Sequence, residues 1–127
     1  MYTYPPLFPA LPNQTFYVLL ALSRGEAYAY AIGAIAINDS LGTIKMGDGT
    51  LYPLLKRMSE DRLIEEAGLQ PAGKSGKDRM HYRLTQEGRF CLEEEAKRFR
   101  HAVKIAEAAG LLNNPVPTEI RRLLNNL

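Results

Sequence analysis

The stretch GDGTLYPLLKR, Gly47 to Arg57, sets two glycines ahead of an apolar-periodic segment that ends in a pair of cations. Glycines before a helix can turn backbone N–H groups towards a phosphate, and a nucleotide-binding loop adds a lysine at the helix start. Here only the Gly47-x-Gly49 pair is present, Asp48 between them repels phosphate, and the first lysine, Lys56, comes late in the segment. A nucleotide loop is not expected. The other chemistry open to these residues is contact with DNA. Lys56 and Arg57 can reach guanine O6 and N7 or phosphates, and the hydroxyls of Thr50 and Tyr52 can reach phosphate oxygens. Taken alone, the same residues would be an ordinary solvated helix face, with Tyr52 at the rim of a core.

What tips the balance is a second cluster. Lys74, Lys77, Arg79 and Arg83 stand against Asp78 alone, so this segment carries +3 in a chain whose net charge is only +2. Around it, PAGKSGKD has the composition of a hairpin tip. Lys74, Lys77 and Arg79 suit phosphate or minor-groove contacts, the plain alternative being a solubilising tip. Other chemistries find little support. Cys91, His81 and His101 lack metal-ligand spacing, and Cys91 has no nucleophile pattern around it. No catalytic residue, metal or cofactor is expected. A single cysteine excludes an internal disulfide and fits a reducing, cytoplasmic setting. No basic-then-apolar leader opens the chain and no apolar run is long enough for a membrane span. With 127 residues, 46% of them hydrophobic and 24% charged, one globular domain with its own core is expected.

Positioning the cations falls to the elements around them. Residues Met1 to Asn13 hold Pro5, Pro6, Pro9 and Pro12 among Tyr2, Tyr4, Leu7, Phe8 and Leu11. Proline forbids a regular helix, and the apolar content argues against a solvated tail, so an arm packed on another surface is expected. A first helix should start at Thr15, with Phe16, Leu19 and Leu20 inward and Gly25 as its stop. A second, Tyr28 to Asn38, is apolar almost all round and should be buried on more than one face. After NDSLG, Thr43 to Met46 reads as a short strand. In the third helix Leu51, Leu54, Leu55 and Met58 share one face. Pro53 fits only near a first turn, which puts the start at Asp48 or Gly49, with Asp48 as N-cap. Thr50, Tyr52, Pro53, Lys56, Arg57 and Glu60 then look outward.

Two strands follow, Leu63 to Gln70 and Arg79 to Leu84. The second alternates Met80, Tyr82 and Leu84 with Arg79, His81 and Arg83, which puts His81 on the outer face. Thr85 caps a long helix to about Ala109, and Thr118 caps a short last one striped by Ile120, Leu123, Leu124 and Leu127. The fold class is mainly α with a small β-hairpin: a winged helix-turn-helix domain with a C-terminal helix. The expected divisions are an arm at 1–14, the winged domain at 15–85 and a helical segment at 86–127.

LLAL (Leu19 to Leu22), Tyr30 and Ile32, GTLYPLLKRM (Gly49 to Met58), LIEE (Leu63 to Glu66) and HYRLTQEGR (His81 to Arg89) together resemble the PadR family of bacterial transcriptional regulators. The resemblance covers roughly Phe16 to Leu92. It implies a dimeric repressor of double-stranded DNA, with GTLYPLLKR as recognition helix, the Lys/Arg hairpin as wing, and in some members an inducer pocket near the dimer interface. Tyr28-Ala29-Tyr30 stands where His-Gly-Tyr is frequent in the family, and alanines and isoleucines replace charged residues on the second helix. Both point to a covered helix, with the aromatic arm as its cover, and argue against carrying DNA-backbone contacts over to it.

Leu92, Ala96, Phe99, Val103 and Ala106 recur at alternating spacings of four and three, a coiled-coil-like seam. A helix this long has little of its own chain to pack on, so a second copy is the expected partner. Phe99, with Phe16 and Tyr17, could also line an effector pocket between subunits. The expected function is a sequence-specific, homodimeric DNA-binding regulator, a repressor acting on a palindromic operator. Two alternatives stay open: a winged-helix module that binds protein through its hairpin, and an effector-binding member that has lost DNA affinity.

Overall fold

A computed structural model of the chain describes residues 9–71 and 76–127. The described residues form five helices and one three-stranded antiparallel sheet. In order these are α1 (Asn13–Leu22), β1 (Ala27–Tyr28), α2 (Ala29–Asp39), α3 (Asp48–Glu60), β2 (Ile64–Gln70), β3 (Arg79–Leu84), α4 (Gln86–Ala108) and α5 (Thr118–Asn125). The chain divides between Glu95 and Ala96 into two compact units.

The first unit is a winged helix-turn-helix. Pro12 starts α1, and Gly25 ends the turn after it at φ +143°, which an L side chain rarely adopts. Arg24 pairs with Asp39 and ties that turn to the end of α2. Gly33 lets Leu51 of α3 approach α2 closely, with the Leu51 Cδ2 atom 3.2 Å from where a Cβ would stand. The core gathers Val18, Leu19 and Leu22 of α1, Ile32 and Ala36 of α2, Leu51, Leu54, Leu55 and Met58 of α3, Ile64 of β2 and Leu92 of α4. In the sheet β3 lies between β1 and β2. Ala27 faces Tyr82 and Tyr28 faces His81, while Ile64 pairs with Leu84 and Gln70 with Arg79 across a bulge at Glu66/Gly68.

Thr43 to Met46 does not form the expected strand. The Thr43 hydroxyl donates to the Ser40 carbonyl at 2.7 Å, and the Ile44 N–H donates to the Ser40 hydroxyl at 3.3 Å. These local bonds hold a turn, and from it Ile44 and Met46 drop into the core. The third strand is instead β1, two residues long and too short to show a period. Nor is α2 buried on more than one face among the described residues. Ala29, Ile32, Gly33 and Ala36 are buried, whereas Tyr30, Ala34 and Ile37 face outward. The arm expected to cover it falls largely on residues 1–8, outside the described residues. Its described end packs Leu11 against the core, and the Leu11 N–H donates to the carboxylate of Glu95, which is only 5% exposed. That bond helps to offset the burial of an acidic side chain.

Two cap assignments also change. α3 starts at Asp48, one of the two expected positions, but Gly47 rather than Asp48 precedes it as the cap, and Pro53 lies inside the helix. Pro117, not Thr118, precedes α5, and no side chain caps it. Thr85 does cap α4: its hydroxyl accepts the Gly88 N–H at 2.9 Å and donates to the Arg62 carbonyl.

The second unit holds the rest of α4 and all of α5. Every residue of α5 is exposed, including Ile120, Leu123 and Leu124. Val103 and Ile105 of α4 are exposed as well. No helix among the described residues is long and apolar enough to cross a membrane.

Candidate nucleic-acid interface

α3 divides cleanly by face. Leu51, Leu54, Leu55 and Met58 are buried, which turns Thr50, Tyr52, Pro53, Lys56, Arg57 and Glu60 to solvent. On the wing, Lys77 and Arg79 are exposed at the start of β3, and Lys74 lies outside the described residues. Tyr52, Lys77 and Arg79 meet in one cleft of about 360 Å³, whose other walls are Tyr28, Ala29, Tyr30, Met80 and Tyr82. Thr50, Pro53, Lys56 and Arg57 do not line it and stand on the outer face of α3.

Short β1 explains how the cleft is built. By pairing with β3, it brings Tyr28 beside His81 and Arg79. The Arg79 guanidinium sits 4.7 Å from the centre of the Tyr28 ring, an attraction between cation and ring face that also orients the guanidinium. The rings of Tyr28 and His81 are 5.6 Å apart, so His81 is half-buried rather than on an open outer face. Its Nδ1–H donates to the Arg79 carbonyl at 3.0 Å. Tyr30 begins α2 and is 72% exposed; Tyr52 is 55% exposed. Burial raises the Tyr82 phenol above its ordinary value, and the Glu66 carboxylate and the Tyr52 phenol push the same way. Arg83 faces elsewhere, bound to Glu65 at 2.8 Å and 3.9 Å from Glu26, so it is not a spare cation of the wing.

Tyr28, Tyr30 and Tyr82 were missed as site residues. The signal was present: three aromatic hydroxyls flank the cationic hairpin in sequence or across the sheet. A two-residue strand has no period to read, and an apolar second helix argued for a covered face.

Of the seam residues, Leu92 is buried in the core of the first unit and is not available to a partner. The other four belong to the second unit, where Ala96, Phe99 and Val103 are exposed and Ala106 is half-buried. Phe16 is buried in the core, edge-on to Tyr17 with ring centres 5.2 Å apart.

The profile of the transcriptional regulator PadR-like family matches residues 18–94. Solved structures agree. A PadR family transcription regulator from Clostridium difficile R20291 is 28% identical, with a TM-score of 0.63 over 76% of this chain and 97% of its own. A PadR-like transcriptional regulator from Bacillus cereus ATCC 14579 is 26% identical, with a TM-score of 0.62 over 80% and 92%. Bacillus subtilis PadR in complex with operator DNA shares the fold at 23% identity and a TM-score of 0.53, over 63% of this chain and 44% of that one. No curated protein matches the chain.

Proposed function

The chain belongs to the PadR-like family of transcriptional regulators, and from that premise we propose a homodimeric, cytoplasmic repressor that reads a palindromic operator in double-stranded DNA and is released by a small-molecule effector. One observation carries the DNA reading: Tyr52 of α3 lines the same cleft as Lys77 and Arg79 of the wing, so the third helix and the wing border one surface. In this reading Lys56 and Arg57 reach base edges in the major groove. Thr50, Tyr52 and Pro53 lie along the backbone, and Lys74, Lys77 and Arg79 hold phosphates. Repression and release by an effector rest on the family resemblance.

A second copy is the natural cover for Ala96, Phe99, Val103 and Ala106, joined by Ile120, Leu123 and Leu124 of α5. Two recognition helices that read one face of DNA stand about 34 Å apart, which asks for two inverted half-sites.

The test is a salt titration of binding to an operator-length duplex selected from a random pool by the full-length protein. Each neutralised phosphate contributes about −0.9 to the slope of log affinity against log salt. A flat response would reject DNA and favour a wing that binds protein. Arg57→Ala should cost about 1–3 kcal/mol on the selected duplex and much less on random DNA. Lys77→Ala should weaken both alike and lower the salt slope by about 1.

A further inference from the structure

We propose that the outer face of α2 is a second site of self-association, where α2 of one copy packs antiparallel on α2 of another, Leu41 against Tyr30 and Ile37 against Ala34. This contact is separate from the one proposed for the second unit, and it does not depend on DNA binding.

The face is apolar, exposed and free of charge. No charged residue occurs between Glu26 and Asp39. Tyr30, Ala34, Ile37 and Leu41 follow at steps of four, three and four, which sets them along one line of the helix. All four are exposed, Tyr30 at 72% and Leu41 at 91%. Leu41 stands just beyond the Ser40 cap at φ +56°, a place where helices commonly take glycine. The Gly42 N–H donates to the Ile37 carbonyl at 2.9 Å and the Leu41 N–H to the Asn38 carbonyl at 3.1 Å, and these bonds hold the left-handed turn. A leucine there strains the backbone, and so exposed a side chain gains nothing from the fold in return. The strain points to a contact made outside the chain.

The order of sizes names the occupant. Steps of four, three and four read the same in both directions. A two-fold axis between Ala34 and Ile37 therefore sets Leu41 of one copy opposite Tyr30 of the other, and Ile37 opposite Ala34. The small alanine leaves the space that the isoleucine fills, once on each side of the axis. Symmetry also brings like groups together, so a charged face would repel its own copy. By contrast, α3 exposes Lys56, Arg57 and Glu60, and α5 exposes Glu119, Arg121 and Arg122. The described end of the N-terminal arm lies on α4, where the Leu11 N–H is bound to Glu95, rather than on this face. Four side chains along about 17 Å of helix bury far less than the roughly 800 Å² per partner of a standard interface, so the pair belongs to concentrated rather than dilute protein.

The experiment is disulfide trapping in full-length chains that carry Cys91→Ser. Chains with Ala34→Cys are mixed with chains with Ile37→Cys under mild oxidation, and linked pairs are compared with those from either chain alone. Facing positions reach the roughly 4–7 Å Cα separation that a disulfide needs, so mixed pairs should be in several-fold excess. Glu60→Cys, on the exposed side of α3, gives the level of random collision. The excess should persist when both chains also carry Phe99→Asp, which separates this contact from the second unit. In sedimentation of concentrated protein, Ile37→Asp and Ala34→Lys should each lose the pairing, and their mixture should recover part of it. Leu41→Gly relieves the strained turn, so it should melt no lower than wild type and still pair several-fold more weakly. Linkage no greater than that of Glu60→Cys at every concentration overturns the proposal. Mixed pairs that appear only after residues 1–8 are removed would give the face to the arm of the same chain and overturn it as well. Loss of the excess with Phe99→Asp would make the face a by-product of the other contact, and the proposal falls while the DNA reading stands. A Leu41→Gly protein that melts lower and pairs normally would make Leu41 a residue of the fold and refute the contact.

Discussion

α3 in the first unit and α5 in the second carry the same kind of stripe and meet opposite ends. Leu51, Leu54, Leu55 and Met58 recur at helical spacing, and none is more than 2% exposed. Ile120, Leu123, Leu124 and Leu127 recur in the same way and are 48% to 101% exposed. Periodicity states that a face seeks cover, but not where the cover is. The first unit supplies it from α1, α2, β2 and the start of α4. The second unit has only one further stretch of helix, itself apolar and exposed at Val103 and Ile105. The buried apolar side chains are therefore concentrated in the first unit.

The sharpest way to break this contrast is at the point where α4 leaves the sheet. A Cβ on Gly88 would fall 1.9 Å from the Leu63 carbonyl oxygen and 2.8 Å from its carbon, both backbone atoms. The same carbonyl accepts the Thr85 N–H at 3.2 Å, so it cannot retreat without breaking the start of the helix. Gly88→Ala should destabilise the first unit by about 3 kcal/mol or more in a denaturant melt. A mild effect there would mean that the approach of α4 to β2 is looser than this geometry.

Next come matched truncations. Leu55→Ala empties fully buried space and should cost about 2–5 kcal/mol. Leu123→Ala removes an exposed side chain and, in dilute protein, should stay within about 0.5 kcal/mol of wild type. At concentrations where the chain associates, Leu123→Ala should weaken the dimer in sedimentation. A large loss of monomer stability from Leu123→Ala would erase the distinction between the units. Phe99→Asp places a charge in the proposed interface and should shift the protein towards monomer while circular dichroism of the winged unit is kept. A dimeric Phe99→Asp would show that the second unit is not where copies meet.

Much of the first unit was legible because its signals are local and strong. Leu51 to Met58 fixed the buried face of α3, and the alternation from Arg79 to Leu84 marked β3 to the residue. Thr85 announced a helix start, and the structure adds why a glycine stands at Gly88. What failed depended on contacts distant in sequence. Tyr28 becomes part of a sheet only because His81 lies opposite it. Ser40 diverts Thr43 and Ile44 into a turn that composition alone could not separate from a strand. Leu92 fits a heptad with Ala96 and Phe99, yet the core of the first unit had the prior claim on it. The cleft was half legible: its cations stood out by charge, its phenols only by their arrangement in space.

The smallest effect belongs to Tyr82, and it tests whether the cleft wall is part of the stable unit. Burial raises its phenol above the ordinary value, Glu66 adds to this, and Tyr52 adds again. The folded chain thus holds a proton that the unfolded chain gives up at the ordinary tyrosine value, near pH 10. This contribution to stability is complete below that pH and drains away as the pH rises through the folded value, because the folded state then bears a phenolate in a half-buried, acid-flanked place. Tyr82→Phe has no proton to lose. The stability difference between wild type and Tyr82→Phe should be constant on the neutral side of about pH 9 and shrink or reverse by about pH 11. Glu66→Gln should bring the upper end of that loss down towards the ordinary value and make the total loss smaller. Parallel stability curves for the two proteins across the whole range would mean that Tyr82 is as solvated when folded as when unfolded, and that the cleft wall is looser than the core behind it.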